Sequence, residues 1–187
     1  MATKPVFSQE VSNLMSPTRG NPIRTCIQCG TCSGSCPVAP FMDHTPRRLI
    51  AMVNADLEDE VLASNTYWYC ASCYQCTVRC PRGIDIAEVM YALDRYSLKK
   101  NRYKKGLVGP GFSETFVNIV HGTGRSYEPL LAPSYIFSYG PKGFFGEVQT
   151  AMGLMLKGRI PLLPSRVKRL QGFRQMFSRA SSDGGAS

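Results

Sequence analysis

Twelve residues decide the fold: Cys26-Ile-Gln-Cys-Gly-Thr-Cys-Ser-Gly-Ser-Cys-Pro37. Their spacing returns in a second stretch, Cys70-Ala-Ser-Cys-Tyr-Gln-Cys-Thr-Val-Arg-Cys-Pro81. Together the two copies use all eight cysteines of the chain. Stretches this rich in Cys, Gly, Ser and Pro predict loops whose backbone wraps closely around a bound group.

The spacing C-x2-C-x2-C-x3-C-P matches the cysteine run of bacterial ferredoxins, which hold two 4Fe-4S clusters. In that run three cysteines on a tight turn face three irons of one cluster, and the fourth cysteine reaches the other cluster. The rule predicts two crossed ligand sets. The first cluster takes Cys26, Cys29, Cys32 and Cys80, and the second takes Cys70, Cys73, Cys76 and Cys36.

Other uses of the cysteines are less favoured. A zinc site needs only four ligands, so the third and fourth cysteines of each copy and their prolines would be surplus. Disulfides across such short steps would not brace a fold. Because every position of the pattern holds a cysteine, neither a three-iron cluster nor a labile catalytic iron is indicated.

Composition excludes some functions. The 187-residue chain is 43% apolar and 19% charged, which is typical of a globular protein. Its net charge of +9 lies after residue 81. No recognised nucleic-acid module accompanies that charge, and we expect no nucleic-acid partner. We find no transmembrane segment, since Lys157 and Arg159 break the most apolar stretch, and no secretory signal. The expected compartment is the cytoplasm.

The pattern along the chain predicts a mainly α-helical protein with four regions. Residues 1–22 form an N-terminal arm, and residues 23–105 form a two-cluster 4Fe-4S domain. Residues 106–180 form a helical, basic extension that docks on a partner, and residues 181–187 form a disordered tail. Helices are predicted to begin at Thr45-Pro46, at Asp85 with Glu88 as a capping box, at Ser113 and after Ser165. A further helix is predicted over residues 144–157.

A few other side chains could influence a cluster. Arg24 and Arg79 stand next to predicted ligands, where positive charge would favour the reduced state, although solvated arginines are an equal reading. His44 is more simply a residue at a helix start, and the role of His121 is open. The chain has no dinucleotide fingerprint, no spare cysteine and no acid–base set, so no catalytic residue is predicted.

Beyond the second copy lie Arg82-Gly-Ile-Asp-Ile86 and, further on, His121-Gly-Thr-Gly-Arg125 followed by Glu128-Pro129. With the motif at 26–37, these stretches resemble the C subunit of heterodisulfide reductase over roughly residues 20–160. The resemblance implies an α-helical ferredoxin fold and a one-electron relay. It also implies two partners in a cytoplasmic complex: a flavin-containing, iron–sulfur A-type subunit and a catalytic B-type subunit with Cys-Cys-Gly motifs.

Two further hypotheses belong to other classes. One makes the chain the iron–sulfur subunit of a membrane-linked dehydrogenase of the succinate or glycerol-phosphate type. The other makes it a free nucleic-acid-binding or regulatory iron–sulfur protein. The sequence leaves the direction of electron flow, the cluster potentials and the pathway open, whether methanogenic or sulfur-oxidising.

Overall fold

The computed structural model describes residues 6–15, 22–127, 131, 152–154, 156–158 and 167–183. These residues hold no β-strand, which confirms the mainly α-helical fold class. The chain divides into two compact units, residues 1–105 and 106–187. The helices of the first unit are α1 (Phe7–Leu14), α2 (Thr31–Gly34), α3 (Pro46–Asn54), α4 (Glu58–Leu62), α5 (Gln75–Val78) and α6 (Ile86–Lys100). Those of the second unit are α7 (Val108–Thr123) and α8 (Leu170–Asp183).

Helix α6 is the centre of the first unit and confirms the most regular pattern in the sequence. It begins after Asp85, whose side chain accepts a hydrogen bond from the backbone N–H of Glu88 at 3.1 Å. Its apolar face is buried against the rest of the unit. Asn101 ends it in a left-handed conformation at φ 51°. The buried face consists of Ile86, Ala87, Val89, Met90, Ala92, Leu93, Tyr96 and Ser97.

Asp85 caps α6 as the predicted capping box requires. Asp85 also accepts a hydrogen bond from the Thr77 hydroxyl at 3.0 Å, and this bond ties the end of α5 to the start of α6. The Glu88 carboxylate forms an ion pair with Arg95 at 2.8 Å. Asp85 is therefore both a cap and a link between the second cysteine loop and the core.

Residues Phe7–Leu14 of the N-terminal region form α1, which packs against α6. Phe7 and Val11 of α1 are buried, and the Phe7 ring lies edge-on to the Tyr96 ring with centroids 5.2 Å apart. The Tyr96 hydroxyl donates to the Glu10 carboxylate at 2.7 Å. The apolar residues at positions 7, 11 and 14 follow a helical period, and this short stripe is what α1 buries against α6.

Paired polar groups join the segment that follows the first cysteine loop to the segment that precedes the second. The backbone N–H of Asp43 donates to the Asn65 amide oxygen at 2.7 Å, and the backbone N–H of Asn65 donates to the Asp43 carboxylate at 2.8 Å. Next to this pair, the Thr66 hydroxyl accepts from the backbone N–H of His44 and donates to its carbonyl, both at 3.0 Å. Because Asn65 and Thr66 are buried, these bonds fix the two segments at one distance.

The second unit is helical where it is described. Helix α7 begins at Val108, five residues before the predicted Ser113, because Pro110 falls in the first turn, where its missing N–H costs no hydrogen bond. In α8, Phe173 and Phe177 pack ring to ring at 6.1 Å. Most of the helix predicted over 144–157 lies outside the described residues, as do Glu128-Pro129 and residues 184–187. None of the helices that the structure describes is both long enough and apolar enough to cross a membrane.

Replacing Asp85 with alanine should destabilise the first unit by about 1 to 2 kcal/mol, because it removes the cap of α6 and its bond to Thr77. Anaerobic denaturant unfolding followed by helical circular dichroism measures the change. Asp85→Asn keeps an acceptor oxygen and should retain most of the stability. Equal losses in both variants would contradict the capping role.

Asp94 should make stability depend on pH. Burial raises the pKa of this carboxyl to about 7, and its Oδ1 has no hydrogen-bond partner among the described residues. The folded state therefore keeps a proton that the unfolded state loses near pH 4. Stability falls as pH rises between those two values. Asparagine at position 94 does not titrate, so the Asp94→Asn variant should not lose this stability. The difference in unfolding free energy between the variant and the unsubstituted chain should therefore increase in favour of the variant, by about 2 kcal/mol between about pH 5.5 and pH 8.

Anaerobic unfolding at several pH values measures that difference. Glu60→Gln removes an exposed carboxylate from α4 and is the control. A difference for Asp94→Asn that is constant with pH would contradict the prediction.

Candidate metal centres

The two cysteine loops have the same backbone path. In the first loop Gln28 and Gly30 adopt left-handed conformations at φ 58° and 84°. Ser72 and Tyr74, which occupy the equivalent positions of the second loop, do so at φ 53° and 59°. Each loop then runs into a short helix, α2 or α5, that carries its third cysteine. The two left-handed residues turn the chain so that the first three cysteines of each loop face inward around one space.

A hollow that is partly open to solvent lies inside the first loop. We call it the first hollow. Three cysteines of the first loop line it, together with one cysteine from the second loop. These four are Cys26, Cys29, Cys32 and Cys80.

A second hollow lies inside the second loop. It too is lined by three local cysteines and one from the other loop, namely Cys70, Cys73, Cys76 and Cys36. The contact between α2 and α5 brings the loops close enough for this exchange. The fourth cysteine of each motif thus faces the opposite hollow.

The electrostatics of the thiols agree with this grouping. Burial raises the pKa of Cys70, and the nearby charges of Cys36 and Cys73 raise it further. Burial likewise raises the pKa of Cys76 to about 11. Hydrogen bonds from Thr31 lower the pKa of Cys29. Burial also raises the pKa of Cys32 in the first set, so each set contains thiols in surroundings that disfavour negative charge.

Hydrogen bonds to sulfur are found around the first hollow. The Gln28 side-chain amide donates to Cys26 Sγ at 3.4 Å, and the backbone N–H of Ile84 donates to Cys80 Sγ at 3.4 Å. Cys29 Sγ and the Thr31 hydroxyl lie 3.4 Å apart and share a hydrogen bond. Donors at these sulfurs stabilise negative charge on a metal–thiolate group.

The eight thiols fit two iron–sulfur clusters better than single ions. All eight are free, with no disulfide among them. In the described part of the chain no three His, Cys, Asp or Glu side chains are placed to hold one metal ion. A structural zinc needs four ligands converging to about 2.3 Å from the metal. Four thiols spread around a hollow suit a multi-iron group, whose irons take one thiolate each.

The arginines that line a hollow are not the ones that the sequence suggested. Arg24 points to the Ser8 hydroxyl at 3.0 Å, and Arg79 is not among the residues that line either hollow. Arg47 and Arg82 line the first hollow instead. Arg82 stands two residues after Cys80 in the sequence and could have been suspected. Arg47, at the start of α3, is far from any cysteine in the sequence, so nothing near it pointed to this position.

Of the aromatic residues around the second motif, only Tyr74 lines the second hollow. Tyr67 is buried in the core, and its hydroxyl donates to the Leu62 carbonyl at 3.2 Å. Trp68 packs against Tyr103, with ring centroids 6.4 Å apart. Tyr67 and Trp68 therefore belong to the packing of the core and not to the lining of the second hollow.

Neither histidine lines the first or the second hollow. His44 is held through its backbone to Thr66, and its Nδ1 is buried with no hydrogen-bond partner in the described structure. The His121 ring packs against Phe177 at 5.3 Å, and its carbonyl accepts from Arg174 at 3.3 Å. For His121 this geometry indicates a packing role within the second unit.

Comparison with known proteins identifies the region of the loops. Residues 22–84 match the 4Fe-4S dicluster domain family, which supports 4Fe-4S clusters and is consistent with two of them. The chain is 38% identical over 84 residues to the C subunit of the H2:CoB-CoM heterodisulfide,ferredoxin reductase of Methanothermobacter marburgensis, a match covering 45% of each chain. It is 35% identical over 105 residues to the iron-sulfur C subunit of the CoB–CoM heterodisulfide reductase of Methanopyrus kandleri, covering 54% of this chain and 55% of the relative.

A third relative extends the likeness further along the chain. The C subunit of the ferredoxin:CoB-CoM heterodisulfide reductase of Methanosarcina acetivorans is 37% identical over 135 residues, which is 69% of this chain and 53% of the relative. The chain thus spans about half the length of the curated relatives that it matches.

Proposed function

Because the chain belongs to the family of 4Fe-4S dicluster proteins that resemble the heterodisulfide reductase C subunit, we propose that it is a one-electron relay subunit. The observation that carries the proposal is the pair of hollows, each lined by four free cysteines. A 4Fe-4S cluster takes up and releases single electrons at iron while its thiolates stay bound. The chain's own part is to hold two such groups side by side.

The ligand sets that we propose are the crossed ones. The first cluster is bound by Cys26, Cys29, Cys32 and Cys80, and the second by Cys70, Cys73, Cys76 and Cys36. The lining of each hollow and the effect of Cys36 on the pKa of Cys70 support this assignment. With all four positions of each set occupied by protein thiols, neither cluster keeps an open iron for substrate, as suits electron transfer.

The partners that we propose are those of a heterodisulfide-reductase-like complex in the cytoplasm. A flavin-containing, iron–sulfur A-type subunit stands on one side of the relay and a catalytic B-type subunit on the other. The names of the relatives, as C subunits of heterodisulfide reductases, support such an assembly. The region from residue 106 to 180, with its excess of basic residues, is proposed to dock on an acidic partner surface.

Serine substitutions test the crossed ligand sets. Cys36→Ser should weaken the cluster of the second loop, and the electron paramagnetic resonance signal that it alters should be the one altered by Cys73→Ser. Cys80→Ser should share its altered signal with Cys29→Ser. Iron content should fall from about eight atoms per chain towards four if the cluster is lost. If Cys36→Ser and Cys29→Ser alter the same signal, each loop binds its own cluster and the crossed sets are wrong.

Anaerobic purification of the tagged chain from its native cells tests the partners. A flavin- and iron–sulfur-containing subunit and a subunit with Cys-Cys-Gly motifs should be retained with it. A variant with Lys168→Glu and Arg169→Glu reverses two exposed charges just before α8. It should retain less of both subunits if the basic region docks on an acidic surface. Recovery of a membrane cytochrome subunit instead would favour the dehydrogenase hypothesis. Salt-sensitive retention of nucleic acid without protein partners would favour the regulatory one.

A further inference from the structure

The two hollows share a backbone design, so their different linings act as an internal comparison. Both loops have left-handed residues at the same two positions, and both offer three local cysteines and one distant cysteine. What differs is the chemistry of the other lining residues. The lining residues determine how strongly each hollow stabilises negative charge on the group that it binds.

Among the described residues, positively charged side chains line the first hollow and not the second. Arg82 is held across the first loop because its Nε donates to the Thr25 carbonyl, next to Cys26, at 3.1 Å. Arg47 lies over the same loop, with its Cδ 3.6 Å from the place that a Cβ on Gly30 would occupy. In the described part of the chain, no lysine or arginine lines the second hollow. Reduction adds a negative charge to a cluster, and nearby guanidinium groups stabilise that charge.

Apolar side chains line both hollows. Ile84 and Ile86 face the first, and Val38, Met42 and Met90 face the second, where Tyr74 stands at the position that Gly30 has in the first loop. Surroundings of low polarity disfavour an added charge. Hydrogen bonds to sulfur are present around both hollows, because Thr77 bonds to Cys76 in the second loop as Thr31 bonds to Cys29 in the first. Among the described residues, the first hollow is therefore distinguished by its two arginines.

We propose that Arg47 and Arg82 set the order of the two potentials, so that the cluster bound by Cys26, Cys29, Cys32 and Cys80 has the more positive one. One electron taken from a donor then resides on the first cluster, and the second cluster is reduced only by a further electron. The inference rests on the proposed two-cluster function. It goes beyond that function by naming the cluster that holds the first electron and the residues responsible.

Potentiometric titration of the isolated, anaerobically reconstituted protein, followed by electron paramagnetic resonance, tests this order. In the unsubstituted chain the signal that develops at the more positive potential should be the one that Cys29→Ser alters. In Arg47→Gln/Arg82→Gln the ratio of reduced to oxidised first cluster should fall about tenfold at fixed potential. For a one-electron couple that change equals about 59 mV.

Two variants separate charge from folding. Arg47→Lys/Arg82→Lys keeps both charges and should leave the potential of the first cluster close to that of the unsubstituted chain. Arg48→Gln removes the neighbouring arginine of α3, which lines neither hollow, and should shift neither potential. An unchanged first-cluster potential in the double glutamine variant would overturn the proposal. So would a higher-potential signal that responds to Cys73→Ser.

The readout is independent of partners. Absence of iron and sulfide would refute the two-cluster function itself. A protein with two clusters whose potentials follow the opposite order would refute only the role of the arginines.

Discussion

An exchange of cysteines between two loops constrains everything else in the first unit. Each hollow draws three thiols from one loop and a fourth from the other, so neither hollow can be completed until both loops are in place. The contact between α2 and α5 and the hydrogen-bonded Asp43–Asn65 pair hold the two loops next to each other. A group that bridges four thiols adds its own binding energy to this arrangement, so assembly and folding are coupled.

Much of this could be predicted from the sequence because the signals are local. The cysteine spacing predicted both loops, and the helical period after Asp85 predicted α6 and its buried face. The helix that begins at Pro46 followed from its cap and proline. What could not be predicted depends on distant contacts. Phe7 and Val11 show a helical period, but only the Tyr96 surface of α6 makes that stripe part of the core.

The same distinction explains the charges near the hollows. Adjacency to a cysteine drew attention to Arg24 and Arg79, yet the first is taken up by Ser8 and the second lines neither hollow. Arg47 is eleven residues from the nearest cysteine in the sequence, Cys36. It reaches the first loop because the backbone N–H of Arg47 donates to the Ser33 hydroxyl at 2.9 Å, which seats the start of α3 beside α2.

Tyr74 is a residue at which the two loops differ. Its backbone adopts the left-handed conformation that Gly30 takes without cost in the first loop, and a side chain there costs on the order of 1 kcal/mol or more. Glycine at position 74 would remove that cost and leave the second hollow more open. The tyrosine instead adds a ring to the wall of the second hollow, where the described structure places no arginine. Under the proposal that the arginines raise the potential of the first cluster, two loops with similar backbones and different walls would let one short chain hold two clusters at different potentials.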